Sequence, residues 1–115
     1  MKNKKTPPEN MLDKIPQVNN EINWSIDENN SVILEIKNNG LANKLVQMVF
    51  KKPEISFIHL DDIGSFIWLL IDGKKSIFTI GKEVKEHFGN KAEPLYERLA
   101  QYFKILDNYD FIVLK

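Results

Sequence analysis

Side chains able to do chemistry are few and scattered in this chain of 115 residues. It has no cysteine, which removes thiolate metal sites, a thiol nucleophile and disulfide staples. The only histidines, His59 and His87, have no His or Cys partner at the spacing that metal ligation requires. His59 stands between Ile58 and Leu60 in an apolar run, and His87 stands near the end of a helical pattern, where a cation suits the helix dipole. Both are read as structural. Asp61 and Asp62 are adjacent carboxylates, but a catalytic pair needs surroundings that separate its two pKa values. Directly ahead of an apolar helical run, this pair is better used as a cap and a first-turn dipole partner. The glycines (Gly40, Gly64, Gly73, Gly81 and Gly89) are isolated, so no loop cradles phosphate, and no serine stands at a nucleophile elbow. These residues predict a chain that is not an enzyme and holds no cofactor or metal.

Charge narrows the partners. The 16 Lys and Arg balance the 16 Asp and Glu, whereas a coat for nucleic acid needs a large positive field. The helix that would read DNA offers Glu93, Glu97, Arg98, Gln101, Lys104 and Asp107, a mixture unable to neutralise several phosphates. The hairpin ahead of it sets Asp27, Glu28 and Glu35 against Lys37. The basic groups Lys44, Lys51, Lys52 and Lys2, Lys4, Lys5 read as solvated faces. No nucleic acid is therefore expected as a partner. The most apolar run, Phe66 to Ile71, is far short of the ~20 residues that cross a bilayer. No apolar signal run opens the chain. A soluble, cytoplasmic protein without a membrane partner is expected.

The elements that would position a site follow from periodicity. Residues 1–20 hold three of the five prolines and few apolar groups, and read as a flexible tail. The folded domain is expected over 21–115. Ile22, Trp24 and Ile26, then Val32, Leu34 and Ile36, alternate with mostly polar residues; this predicts a hairpin over 22–37 with one wet face, turning at Glu28-Asn29-Asn30. Leu41, Leu45, Met48 and Val49 predict a short helix ended by Pro53. A strand over 55–60 is apolar on both faces, hence covered on both sides or flanked by helices.

Three helices are expected after it. The first covers 62–71, with Asp61 or Asp62 as cap, Ile63, Phe66, Ile67 and Leu70 buried, and Asp72-Gly73 as its stop. The second covers 77–88, between Ser76 and Gly89. The third covers 93–106, with Pro94 in its first turn and Leu95, Leu99, Tyr102, Phe103 and Leu106 on its apolar face. Phe111 to Leu114 packs back as an extended end. Gly64 and Gly81 fall inside helices at a cost of about 1 kcal/mol each relative to Ala, which a close neighbouring backbone would explain. The order is that of an α+β, winged-helix-like domain with its hairpin ahead of the helices.

What remains is surface for a peptide. Strand 55–60, placed at a sheet edge, offers unpaired main-chain groups to an added strand. The third helix would form the other wall. Phe103 reads as core, while Tyr96 and Tyr102 serve equally as core or as anchors.

His59-Leu60-Asp61, Gly64-Ser65-Phe66-Ile67-Trp68, and Ile71-Asp72-Gly73-Lys74-Lys75-Ser76-Ile77 with Ile80, in that order, resemble the PqqD-like family. That family takes in the coenzyme PQQ synthesis protein D type and the peptide-recognition elements of ribosomally made, modified peptides. Leu99, Phe103, Leu106 and Phe111-Ile112 are similar to the family's end. The resemblance covers about residues 55 to 113; the hairpin agrees in layout, and the Leu41–Pro53 segment and the tail depart from the pattern.

The resemblance implies an N-terminal three-stranded antiparallel sheet followed by a three-helix bundle. It implies that a precursor (leader) peptide is bound as an added strand and presented to a radical S-adenosylmethionine modifying enzyme. By position, the peptide-binding residues would be Ser56, Phe57, Ile58 and His59 on the strand, with Arg98, Leu99, Tyr102 and Phe103 on the helix. The Leu41–Pro53 segment either covers that edge or extends the groove. Two alternatives stand beside this reading: a winged-helix transcription regulator, and a homodimeric module pairing through the same edge.

Overall fold

The computed structural model describes residues 11–37 and 55–115. The helix expected within 41–52 and the first half of the expected tail lie outside these residues. Strands β1 (Pro16–Val18), β2 (Trp24–Ile26), β3 (Val32–Lys37) and β4 (Ile55–His59) precede helices α1 (Asp62–Leu70), α2 (Ile77–Phe88) and α3 (Leu95–Asn108), and β5 (Ile112–Leu114) follows. β2, β3 and β4 form one antiparallel sheet in that order, and β1 pairs antiparallel with β5 in a second. The α+β class is thus met, with three helices among the described residues.

Local chemistry accounts for most element ends. In the β2–β3 turn, Asp27 Oδ1 accepts the amides of Asn29 and Ser31 at 2.9 Å each, and Asn30 takes the left-handed φ of 65° that Asn tolerates. Asp61 is the α1 cap, its Oδ1 accepting from Gly64 N at 2.7 Å. After α1, Asp72 Oδ1 accepts the amides of Lys74 and Lys75, which holds its carboxyl below the usual aspartate range, and Gly73 supplies φ 78°. Ser76 Oγ caps α2 by accepting from Thr79 N at 3.1 Å, and Gly89 ends it at φ 60°. α3 starts at Leu95 rather than 93, because Glu93 and Pro94 are extended; there Glu93 Oε1 accepts from Leu95 N at 3.1 Å.

One core joins these pieces. Val32 and Leu34 from β3, Trp68 from α1, Ile77 and Ile80 from α2, and Leu99 and Phe103 from α3 are fully or almost fully buried. Phe111 and Ile112 close it from the chain's end. On α1 the buried stripe is Gly64, Ser65, Ile67 and Trp68, so it is rotated from the expected one; Ile63, Phe66 and Leu70 are only partly covered. Gly64 and Gly81 are explained by side chains, not by a backbone. A Cβ on Gly81 would meet Leu99 Cδ1 at 2.7 Å, and one on Gly64 would meet Tyr102 Cε1 at 3.4 Å.

The tail expected over residues 1–20 is corrected in its second half. Ile15 and Lys115 exchange both main-chain hydrogen bonds, at 3.1 and 3.0 Å. Pro16, opposite Leu114, therefore falls in a non-bonded pair where its missing N–H costs nothing, and its ring is buried. The carbonyls of Lys14 and Leu12 also accept the amides of Ile77 and Phe78 at 2.9 Å each. These are first-turn donors of α2 that have no partner within the helix. Residues 11–20 strap the start of α2 to the end of the chain.

Candidate functional site

Hydrogen-bond direction shows which backbone groups β4 leaves open. Glu35 N donates to Asn23 O at 3.0 Å, so odd-numbered residues of β3 bond toward β2 and even-numbered ones toward β4. Leu60 N donates to Val32 O at 2.9 Å, in the same phase. Ser56 and Ile58 therefore spend their main-chain groups on β3. The N–H and C=O of Ile55, Phe57 and His59 point away from it, and no strand lies beyond β4 among the described residues. Where the β3–β4 ladder ends, the Ser65 hydroxyl takes its place: it accepts from Val32 N at 2.8 Å and donates to Leu60 O at 3.2 Å. That bridge ties the sheet to α1.

Pleating sorts the side chains. Ile58 lies opposite the buried Leu34 and faces inward, while Phe57 and His59, opposite Glu35 and Ile33, face outward. Phe57 is 60% exposed. The strand was expected to be covered on both sides or flanked by helices; among the described residues nothing covers its outer face.

A cleft of about 250 Å³ begins where β4 ends, at Asp61. Ile63, Gly64 and Ile67 of α1 form one side, and Arg98, Gln101, Tyr102 and Ile105 of α3 the other. The four α3 residues follow the i, i+3, i+4, i+7 spacing of one helix face. Tyr102 closes the bottom by donating its hydroxyl to Gly64 O at 2.8 Å. Burial, with a smaller push from the Asp61 carboxylate, raises its phenol above the ordinary value, so Tyr102 acts as a neutral donor. Gly64 matters here because a Cβ would press on the capping Asp61 Oδ1 at 3.1 Å while it touched Tyr102 at 3.4 Å. Arg98 rests one nitrogen, Nη1, on Lys91 O at 3.0 Å, leaving most of its fork of donors over the cleft.

The expected site residues divide accordingly. Phe57 and His59 stand on the open edge, Ile58 beneath it, and Ser56 contributes a backbone turned toward β3. Arg98 and Tyr102 line the cleft. Leu99, at 1% exposed, and Phe103, at 0%, are core residues that present no surface; placing them in the wall is corrected, since α3 turns that face to Gly81 and the bundle interior. Tyr96 is not in this cleft. It stacks on Phe78 of α2, with ring centroids 6.2 Å apart. Sequence reading missed Ile63, Gln101 and Ile105 as lining residues. The signal for Gln101 and Ile105 was their i+3 and i+7 spacing from Arg98 on α3, whereas Ile63 lies on α1, where periodicity assigns it to the buried stripe.

Among the described residues no cluster of His, Asp or Glu is arranged to hold a metal ion, and no helix is long and apolar enough to cross a membrane. A family model described as coenzyme PQQ synthesis protein D (PqqD) matches residues 47–112. That span takes in β4, all three helices and the start of β5. No curated protein and no solved structure matches the chain.

Proposed function

Because this chain belongs to the coenzyme PQQ synthesis protein D family, we propose that it recognises a precursor peptide and presents it to a modifying enzyme, without catalysing a step itself. The peptide adds to β4 as a fourth strand. Main-chain pairing with Phe57 and His59 supplies affinity, and the cleft between α1 and α3 receives side chains from the inner face of the added strand. The partner enzyme is of the radical S-adenosylmethionine type, and the family description points to coenzyme PQQ synthesis as the pathway. The domain itself is winged-helix-like, with β2 and β3 as the wing ahead of the helices.

One observation carries this reading: the strand whose amides turn outward is followed, two residues past its end, by a largely apolar cleft with Arg98 in its lining. A DNA-reading role gains nothing from α3, where exposed Glu97 and Asp107 offset Arg98 and Lys104. The test is a titration of ¹⁵N-labelled protein with labelled leader peptide from a candidate precursor. Amide shifts are expected over residues 55–60 and along 98–105. Unchanged signals at 55–60 under saturating peptide would sink the proposal.

A further inference from the structure

We propose that Phe57 is a specificity-determining residue, selecting an apolar and preferably aromatic side chain at one outward-facing position of the peptide. The inference rests on the strand-addition reading above and concerns the face of the added strand that the cleft does not touch.

A strand has two faces. If alternate residues of the peptide lie on the inner face, toward the cleft, the residues between them must lie on the outer face of the sheet. There the register is set. Asn23, Glu35 and Phe57 form one cross-strand row, and Ser25, Ile33 and His59 form the next. An added strand extends each row by one residue. The residue that continues the first row lies directly against the Phe57 ring.

That ring is in an unusual position for its chemistry. At 60% exposure it is the most exposed large apolar side chain among the described residues. Among the described residues no aromatic ring pairs with it. Its cross-strand partner, Glu35, is a carboxylate that gives an aromatic face little to pack on. The hollow of about 140 Å³ beside it, on the side of β3 and β2, is lined by Asn23, Trp24, Ser25, Ile33 and Glu35, mostly polar residues that do not cover the ring. An apolar residue on the peptide would give Phe57 the cross-strand packing partner that Glu35 does not supply. The cleft and Phe57 then read neighbouring peptide positions on opposite faces, so a short segment is recognised from both sides.

The experiment selects a displayed library of random decapeptides against the full-length protein and against Phe57→Lys, Phe57→Leu and Phe57→Ala. Wild type is expected to enrich an apolar or aromatic residue at one position and a second apolar residue at the neighbouring position, which enters the cleft. With Phe57→Lys the first preference turns to Asp or Glu while the second is unchanged; with Phe57→Leu it stays apolar and loses its aromatic bias. For a peptide selected on wild type, Phe57→Ala weakens binding roughly 3–10-fold, the scale of one cross-strand aromatic pair. The same preference in wild type and Phe57→Lys, or Lys and Arg enriched at that position in wild type, overturns this inference and leaves strand addition standing. If wild type enriches no peptide, strand addition falls and this inference with it.

Discussion

Ser65 does more at the scale of single residues than its type announces. Its hydroxyl serves the last open rung of the β3–β4 ladder from a helix, accepting from the buried Val32 amide and donating to the Leu60 carbonyl. Removing it leaves a buried N–H without a partner, which costs more than a hydrogen bond's net worth. Ser65→Ala is expected to lose about 1–3 kcal/mol of stability in urea unfolding, without change in the exposed β4 edge. Nothing in the sequence marks Ser65 for this role, because its partners lie on two other elements. Tyr102 is similar. Helical spacing places it beside Leu99 and Phe103, but only the hydroxyl bond to Gly64 O shows that it lines the cleft while those two fill the core. The caps are the opposite case. Asp61 and Ser76 act on amides three residues ahead, so local order points to Ser76 and narrows the other cap to Asp61 or Asp62.

Legibility at the scale of elements depends on distance along the chain. The hairpin turn, the helices and their glycine stops are decided by near neighbours, and sequence placed them within two residues. β1 is decided by residues at the far end of the chain, and it has neither length nor alternation to betray it. Its consequence is measurable. First-turn amides of an isolated helix exchange quickly, yet here the carbonyls of Lys14 and Leu12 bond those of Ile77 and Phe78. Hydrogen exchange is expected to show these two amides as slow as the interior of α2. Fast exchange at both would mean that the strap does not hold the helix. On α1 the helix is where periodicity puts it, but of the four expected apolar residues only Ile67 is fully buried, because Trp68 packs edge-on against Trp24 of β2, with centroids 5.8 Å apart, and draws the buried face toward the sheet.

For the whole molecule, both sheets and all three helices drain into one core, so the described parts unfold together. Unfolding followed by tryptophan fluorescence, with Trp68 buried, and by far-UV circular dichroism is expected to give one coincident transition. Phe103→Ala, at the centre of that core, should cost about 3–5 kcal/mol. A smaller loss accompanied by weaker peptide binding would return Phe103 to the groove wall. The α+β class, the order of elements, the helix ends to within two residues and, through ordered local motifs, the family that the match over 47–112 shows are all legible along the chain. These depend on period, turn chemistry and capping, which act within a few residues. Three features needed the folded chain: which main-chain groups of β4 turn away from β3, which residues of α3 face the cleft, and that residues 11–20 pair with the end of the chain and with α2. Each of those depends on register and on contacts between distant segments, and periodicity cannot tell a side chain that faces the core from one that faces a partner.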